Sequence, residues 1–198
     1  MSLNERVIGF DLRVDGERPD PDWTAARRRD FLLRLDAERP LSVDPSVWPR
    51  ASGEMSRGAG LLLQEPAEDD GAAWAIAITL EVATMTAAEQ ERWEAMYQPA
   101  EPVAVDERWL RLGFDVADES MLSGLSNCGY DAPDVDAWRV RWAPHLNRFH
   151  LFDEPRMAAS FRLASDDRVP EHAPFFVFGL YRLRASRERK DEKSILTP

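Results

Sequence analysis

Nine consecutive residues, Phe175-Phe176-Val177-Phe178-Gly179-Leu180-Tyr181-Arg182-Leu183, carry one charge among them. A run this apolar, rich in aromatic residues and too short for a typical helix, reads as a strand in the middle of a sheet. A central strand needs neighbours on both sides, so the rest of the chain must supply them.

Candidates are spaced along the sequence. Arg6–Val14 alternates apolar and polar positions in its second half, and Arg108–Val116 places Trp109, Leu110, Leu112 and Phe114 in a strand-like run. Leu61–Gln64 and Ala73–Ala83 read as two strands of an antiparallel hairpin, joined by the acidic turn Glu65–Gly71. Helical patterns fall between them. Trp23–Ala37 has Asp22 as N-cap and stops near Pro40. Thr86-Ala87-Ala88-Glu89 is a capping box that opens a helix to about Tyr97. Asp118 is positioned to cap a short helix through Ser126, broken at Gly129. Val135–Trp142 is helical up to Pro144, and Pro155 opens a last helix to about Ala164. The stretch Ser42–Gly60, with its prolines and glycines, is expected to be a long irregular loop.

This order predicts an α+β domain. Its sheet is mostly antiparallel, with about five strands and helices packed on one side. Seven tryptophans spread over most of the 198 residues imply one packed core. Residues 1–184 are therefore expected to form a single globular domain, and 185–198 a flexible charged tail.

Charge narrows the function classes. Both lysines, Lys190 and Lys193, lie in the tail, and up to Leu183 the chain has 20 Arg against 33 Asp and Glu. The formal net charge of the whole is −11. Such a body repels phosphate polymers, and Arg27–Arg29 is too short a patch to hold nucleic acid. No Gly-x-Gly-x-x-Gly or Gly-Lys-Ser/Thr pattern offers a phosphate cradle. The longest apolar stretches, Ala72–Leu80 and Pro174–Leu180, fall well short of the ~18 residues that cross a membrane. Met1–Arg6 lacks the basic and apolar regions of a secretory leader, and the single cysteine, Cys128, forms no internal disulfide. A cytoplasmic protein is expected. Its arginine-rich, nearly lysine-free composition suggests a GC-rich bacterial genome.

Two sets of residues are candidates for function. The first is chemical. Asp115 and Asp118 end a predicted strand, Cys128 follows in a segment of small residues, and His145, His150 and His172 lie downstream. Carboxylates at a strand end suit metal binding or base catalysis, and a cysteine meeting a histidine is a nucleophile. The five-residue spacing of His145 and His150 misses the pairing that places two imidazoles on one helix face. Structural roles compete at each position: aspartate is a common cap, and histidines commonly bond backbone. No cofactor is expected.

The second set is electrostatic. Glu65, Glu68, Asp69 and Asp70 form one acidic cluster, and Asp131, Asp134 and Asp136 another. If they converge, they form a negative face that steers a protein partner with a basic surface. In size and charge the chain is similar to the acidic immunity proteins with which bacteria block toxin domains. That similarity covers no motif and transfers no residue role. The sequence favours the binding protein; the alternative is a small enzyme or metal-binding domain built on the chemical set.

Overall fold

The computed structural model describes residues 5–14, 50–51, 73–96, 104–127 and 133–183. The expectations for Trp23–Ala37, Leu61–Gln64, the Glu65–Asp70 cluster, Cys128, Asp131 and the tail lie outside these residues.

The described chain is an α+β fold on an antiparallel sheet. Four long strands, β1 (Glu5–Val14), β3 (Ala73–Glu81), β4 (Leu110–Ala117) and β5 (Phe176–Arg182), carry it, and the two-residue β2 (Arg50–Ala51) pairs with the end of β1. The order is β2-β1-β3-β5-β4, with every pairing antiparallel. The apolar run at Phe176–Arg182 is an interior strand, as its composition predicts. It inserts between β3 and β4, two strands that precede it in sequence. β3 lies between β1 and β5, both distant in sequence. Arg50–Ala51 falls within the stretch read as an irregular loop and adds a short edge strand.

Among the described residues, three helices are longer than one turn: α1 (Ala87–Met96), α2 (Val135–Trp142) and α3 (Pro155–Arg168). Their distribution follows from the period-2 alternation of β5. Phe176, Phe178 and Leu180 face one way and join Ile76, Ile78, Leu80 and Trp93 of α1 in one buried cluster. The Trp93 ring meets Phe176 and Phe178 edge-on at 5.3 and 5.7 Å. Val177 faces the other way, with Phe114 and Val116 of β4, against Trp138 and Trp142 of α2 and Phe161 of α3. The helices thus divide between the two faces rather than gathering on one. A strand apolar on both sides needs cover on both sides, because each buried phenylalanine contributes roughly 1.5–3 kcal/mol only when water is excluded from it.

Local chemistry sets the helix boundaries. The capping box forms as expected: the Thr86 N–H donates to Glu89 Oε2 at 2.7 Å, and the Glu89 N–H to Thr86 Oγ1 at 3.3 Å. The other oxygen of Glu89 accepts from Arg162 of α3, which also donates to the Thr84 carbonyl. Arg162 is buried and ties α1, the 3-10 turn Val82–Thr84 and α3 together. The last helix runs four residues past its predicted end, to Arg168 just ahead of Pro170.

In β4 the ladder shifts register between Arg111 and Gly113, and Gly113 adopts φ 144°. A Cβ there would stand 2.6 Å from Leu151 Cβ, so glycine is required both by the backbone and by the close approach. The space admits the segment around Leu151 and Phe152, whose backbone exchanges hydrogen bonds of 2.8 and 2.9 Å with Phe114 along the outer edge of β4. Among the described residues no helix is long and apolar enough to cross a membrane.

Candidate functional site

β4 carries Asp115 at a position fully buried between its flanking strand and the helices beyond its end. Ser123 Oγ donates to Asp115 Oδ1 at 2.7 Å, and the Val116 N–H donates to the same oxygen at 2.8 Å. These bonds hold the chain after β4 against the sheet, where Ala117 and Ser123 form an isolated antiparallel bridge. A polar group this deep is stabilised by the two donors to Oδ1.

Asp118 performs a different task from the one expected. Its Oδ1 accepts from the N–H groups of Ser120 and Leu122 at 2.8 and 3.0 Å. It therefore closes the turn Asp118–Leu122, in which Met121 takes φ 62°, instead of capping a helix to Ser126. The helical turn that follows is only Gly124–Asn127, and Ser123 Oγ caps it by accepting from the Leu125 N–H at 3.3 Å. Five residues of turn before a four-residue helix leave no room for the longer helix predicted.

The structure does bring two of the chemical candidates together. Asp118 Oδ2 lies 3.3 Å from His172 Nδ1. Asp118 is buried, while the His172 side chain is 38% exposed, so the pair sits at a surface where α3 leads into β5. A carboxylate fixed by two backbone donors and facing one ring nitrogen orients an imidazole, and the remaining nitrogen is available for proton transfer. The other histidines are not part of this arrangement as described. His145 is exposed at the end of the 3-10 turn Ala143–His145. His150 is buried, with φ 59°, in a turn where its N–H donates to the Asn147 carbonyl. No group of three or more His, Cys, Asp or Glu side chains placed to hold a metal ion occurs among the described residues.

Of the acidic candidates, Asp134 and Asp136 are described. Asp134 takes two 2.8 Å hydrogen bonds from Arg168, which hold its carboxyl below the ordinary range. The Arg168 guanidinium also lies 4.6 Å over the Trp138 ring. This ion pair joins the start of α2 to the end of α3. Asp136, two residues after Asp134, and Asp167 and Glu171, one and three residues from Arg168, are exposed.

A further polar group, which nothing in the motif pattern marks, crosses the sheet on the face that carries Ala75 and Ala77. Each long strand contributes: Glu5 from β1, Thr79 and Glu81 from β3, Arg111 from β4 and Tyr181 from β5. The Tyr181 hydroxyl donates to Glu5 Oε2, Arg111 Nε donates to the Tyr181 oxygen at 2.9 Å, and Arg111 Nη2 approaches Glu5 Oε2 at 3.3 Å. Burial, then the bond to Glu5, raises the Tyr181 hydroxyl far above its usual range, so it remains a donor. Burial by itself would lower Arg111, but the Tyr181 bond and the Glu5 charge raise it and keep it cationic. Gly179 makes the convergence possible. A Cβ there would stand 2.4 Å from Thr79 Oγ1, 3.2 Å from the Tyr181 ring and 3.3 Å from Glu5 Oε1.

A recess of about 30 Å³ between β1, β3 and α1, lined by Ile8, Leu80, Gln90 and Trp93 among others, has room for little more than a water molecule. No family model matches the chain, and no curated protein or solved structure was found to be similar to it.

Proposed function

We propose that the chain is a cytoplasmic, acidic binding protein that captures a protein partner with a basic surface. The observation that carries this reading is the Asp134–Arg168 ion pair, which gathers two acidic stretches 34 residues apart onto one corner. Arg168 there bonds Asp134, and the exposed acids Asp136, Asp167 and Glu171 lie within three residues of one or the other in sequence, on a body that is itself strongly negative. Complementary potentials of this kind raise association rates and select partners by sign. The same field disfavours nucleic acid. An immunity-type role, with a basic toxin domain as the partner, is the form of this reading that the size and charge of the chain suggest.

The test compares the wild-type chain with a variant combining Asp136→Lys, Asp167→Lys and Glu171→Lys as bait in host lysate at low salt. A basic protein retained by the wild type, lost from the variant and released by about 0.5 M salt is the expected result. Equal retention by both baits would remove the corner from the proposal.

The Asp118–His172 contact favours a second reading, in which His172 serves as a general base at the loop before β5. Screening activated esters for turnover tests it. Hydrolysis that disappears in His172→Gln, with the fold intact, supports that reading, and hydrolysis unaffected by the change rejects it.

A further inference from the structure

Glu5 and Glu81 are directly opposed in the β1–β3 ladder. Opposed side chains in an antiparallel pair share a face, with Cβ atoms about 4.5–5.5 Å apart. Both are sequestered from water: the Glu5 side chain is 2% exposed and Glu81 6%. Two ionised carboxylates in such a site repel strongly, because little solvent screens them.

The surrounding groups compensate for one charge but not for two. From β4, the Arg111 guanidinium is directed at Glu5 and Tyr181. From β5, the Tyr181 hydroxyl donates a hydrogen bond to Glu5 Oε2. From β3, Thr79 donates to the Gly179 carbonyl at 3.4 Å rather than to either carboxylate. After β3, the Ala83 N–H reaches Glu81 Oε1 at 3.4 Å, and the 3-10 turn Val82–Thr84 holds no charged residue. On β1, Arg6 alternates to the opposite face, where it pairs with Glu94 of α1 at 2.8 Å. Glu5 Oε1 is buried and has no hydrogen-bond partner. An acceptor left open beside a second carboxyl group is the arrangement in which acids share a proton.

We infer that Glu5 and Glu81 form a proton-binding pair that fastens β1 to β3, so that taking up one proton tightens this end of the sheet and releasing it loosens β1. The environment of Glu81 is consistent with this. Burial first, and the Glu5 charge second, raise its carboxyl above the ordinary 4.5, outweighing the Ala83 bond and the charge of Arg111. A carboxyl raised on folding favours the protonated folded state. Its contribution is therefore fully present below pH 4.5 and is lost as pH rises through the folded-state value.

The experiment follows glutamate side-chain carbons by ¹³C NMR across pH 3–9 in the wild-type chain, with Glu81→Gln identifying the Glu81 signal. Alongside it, amide exchange in β1, corrected for intrinsic rates, is measured at pH 5 and pH 8. Expected are a Glu81 midpoint above 4.5 and about tenfold less protection of β1 amides at pH 8 in the wild type. Glu81→Gln, whose amide mimics the protonated acid, should keep its protection at both pH values. A Glu81 midpoint at or below 4.5 overturns the inference, as does an unaltered pH dependence in Glu81→Gln. If that variant does not fold, Glu5→Gln supplies the exchange comparison and the wild-type titration is assigned by through-bond correlation.

Discussion

Gly179 shows how much one absent side chain can organise. Tyr181 reaches back along its own strand to Glu5 only because nothing projects at the intervening same-face position. Gly179→Ala should destabilise the protein by about 1–3 kcal/mol, because a methyl group must displace buried Thr79 or the Tyr181 ring. Urea unfolding monitored by tryptophan fluorescence measures this, and a neutral result would mean that the row of polar side chains relaxes freely. The residues of that row were not legible as a group in the sequence. Glu5 precedes the stretch read as the first strand, and Arg111 and Tyr181 look like ordinary strand residues. Thr79 and Glu81 share the parity of Ala75 and Ala77, a row whose burial only the structure shows. Asp118 and His172 could be singled out separately, but 54 residues separate them and no local pattern implies their contact.

At the scale of elements, Glu89 has two jobs. One oxygen completes the capping box of α1 and the other receives Arg162 from α3. The sequence discloses the first job, because capping is a three-residue rule, and conceals the second, which depends on how α1 and α3 meet. A double-mutant cycle with Glu89→Ala and Arg162→Ala separates them. The coupling energy should be about 1–3 kcal/mol, the range for contacting residues in one buried network. A coupling near zero would reduce Arg162 to a packing role over the Phe176 ring, 5.7 Å from its guanidinium. Elements defined by local rules were read well: β1, β3, β4, β5 and all three longer helices are present close to their expected positions. Long-range relations were not. The pairing of β3, the division of helices between faces and the turn closed by Asp118 each depend on contacts that periodicity does not encode.

For the molecule as a whole, titration sets opposing trends. Burial raises Glu81 and Asp166, so their contributions are complete below the ordinary carboxylate values of 4.5 and 3.8 and fade as pH rises. Bonds from Arg108 lower Asp106 to about 2, and bonds from Arg168 lower Asp134, so their contributions are present above 3.8 and fade on further acidification. Self-repulsion at net charge −11 adds to the first trend near neutrality. The thermal midpoint should therefore rise by a few degrees from pH 8 to about pH 5 and fall below about pH 3.8. Calorimetry at constant ionic strength checks this; a midpoint that climbs steadily toward pH 8 would contradict the raised carboxyls.

The insertion of β5 between β3 and β4 has a consequence for how the chain is made. Until the ribosome has released Phe176–Arg182, β4 lacks its only long-strand neighbour and β3 has one side unzipped. From the completion of β4 until that last strand emerges, the nascent polypeptide carries those greasy borders, and the sheet snaps shut only late. Closure of the sheet during translation is thus timed by the strand order itself.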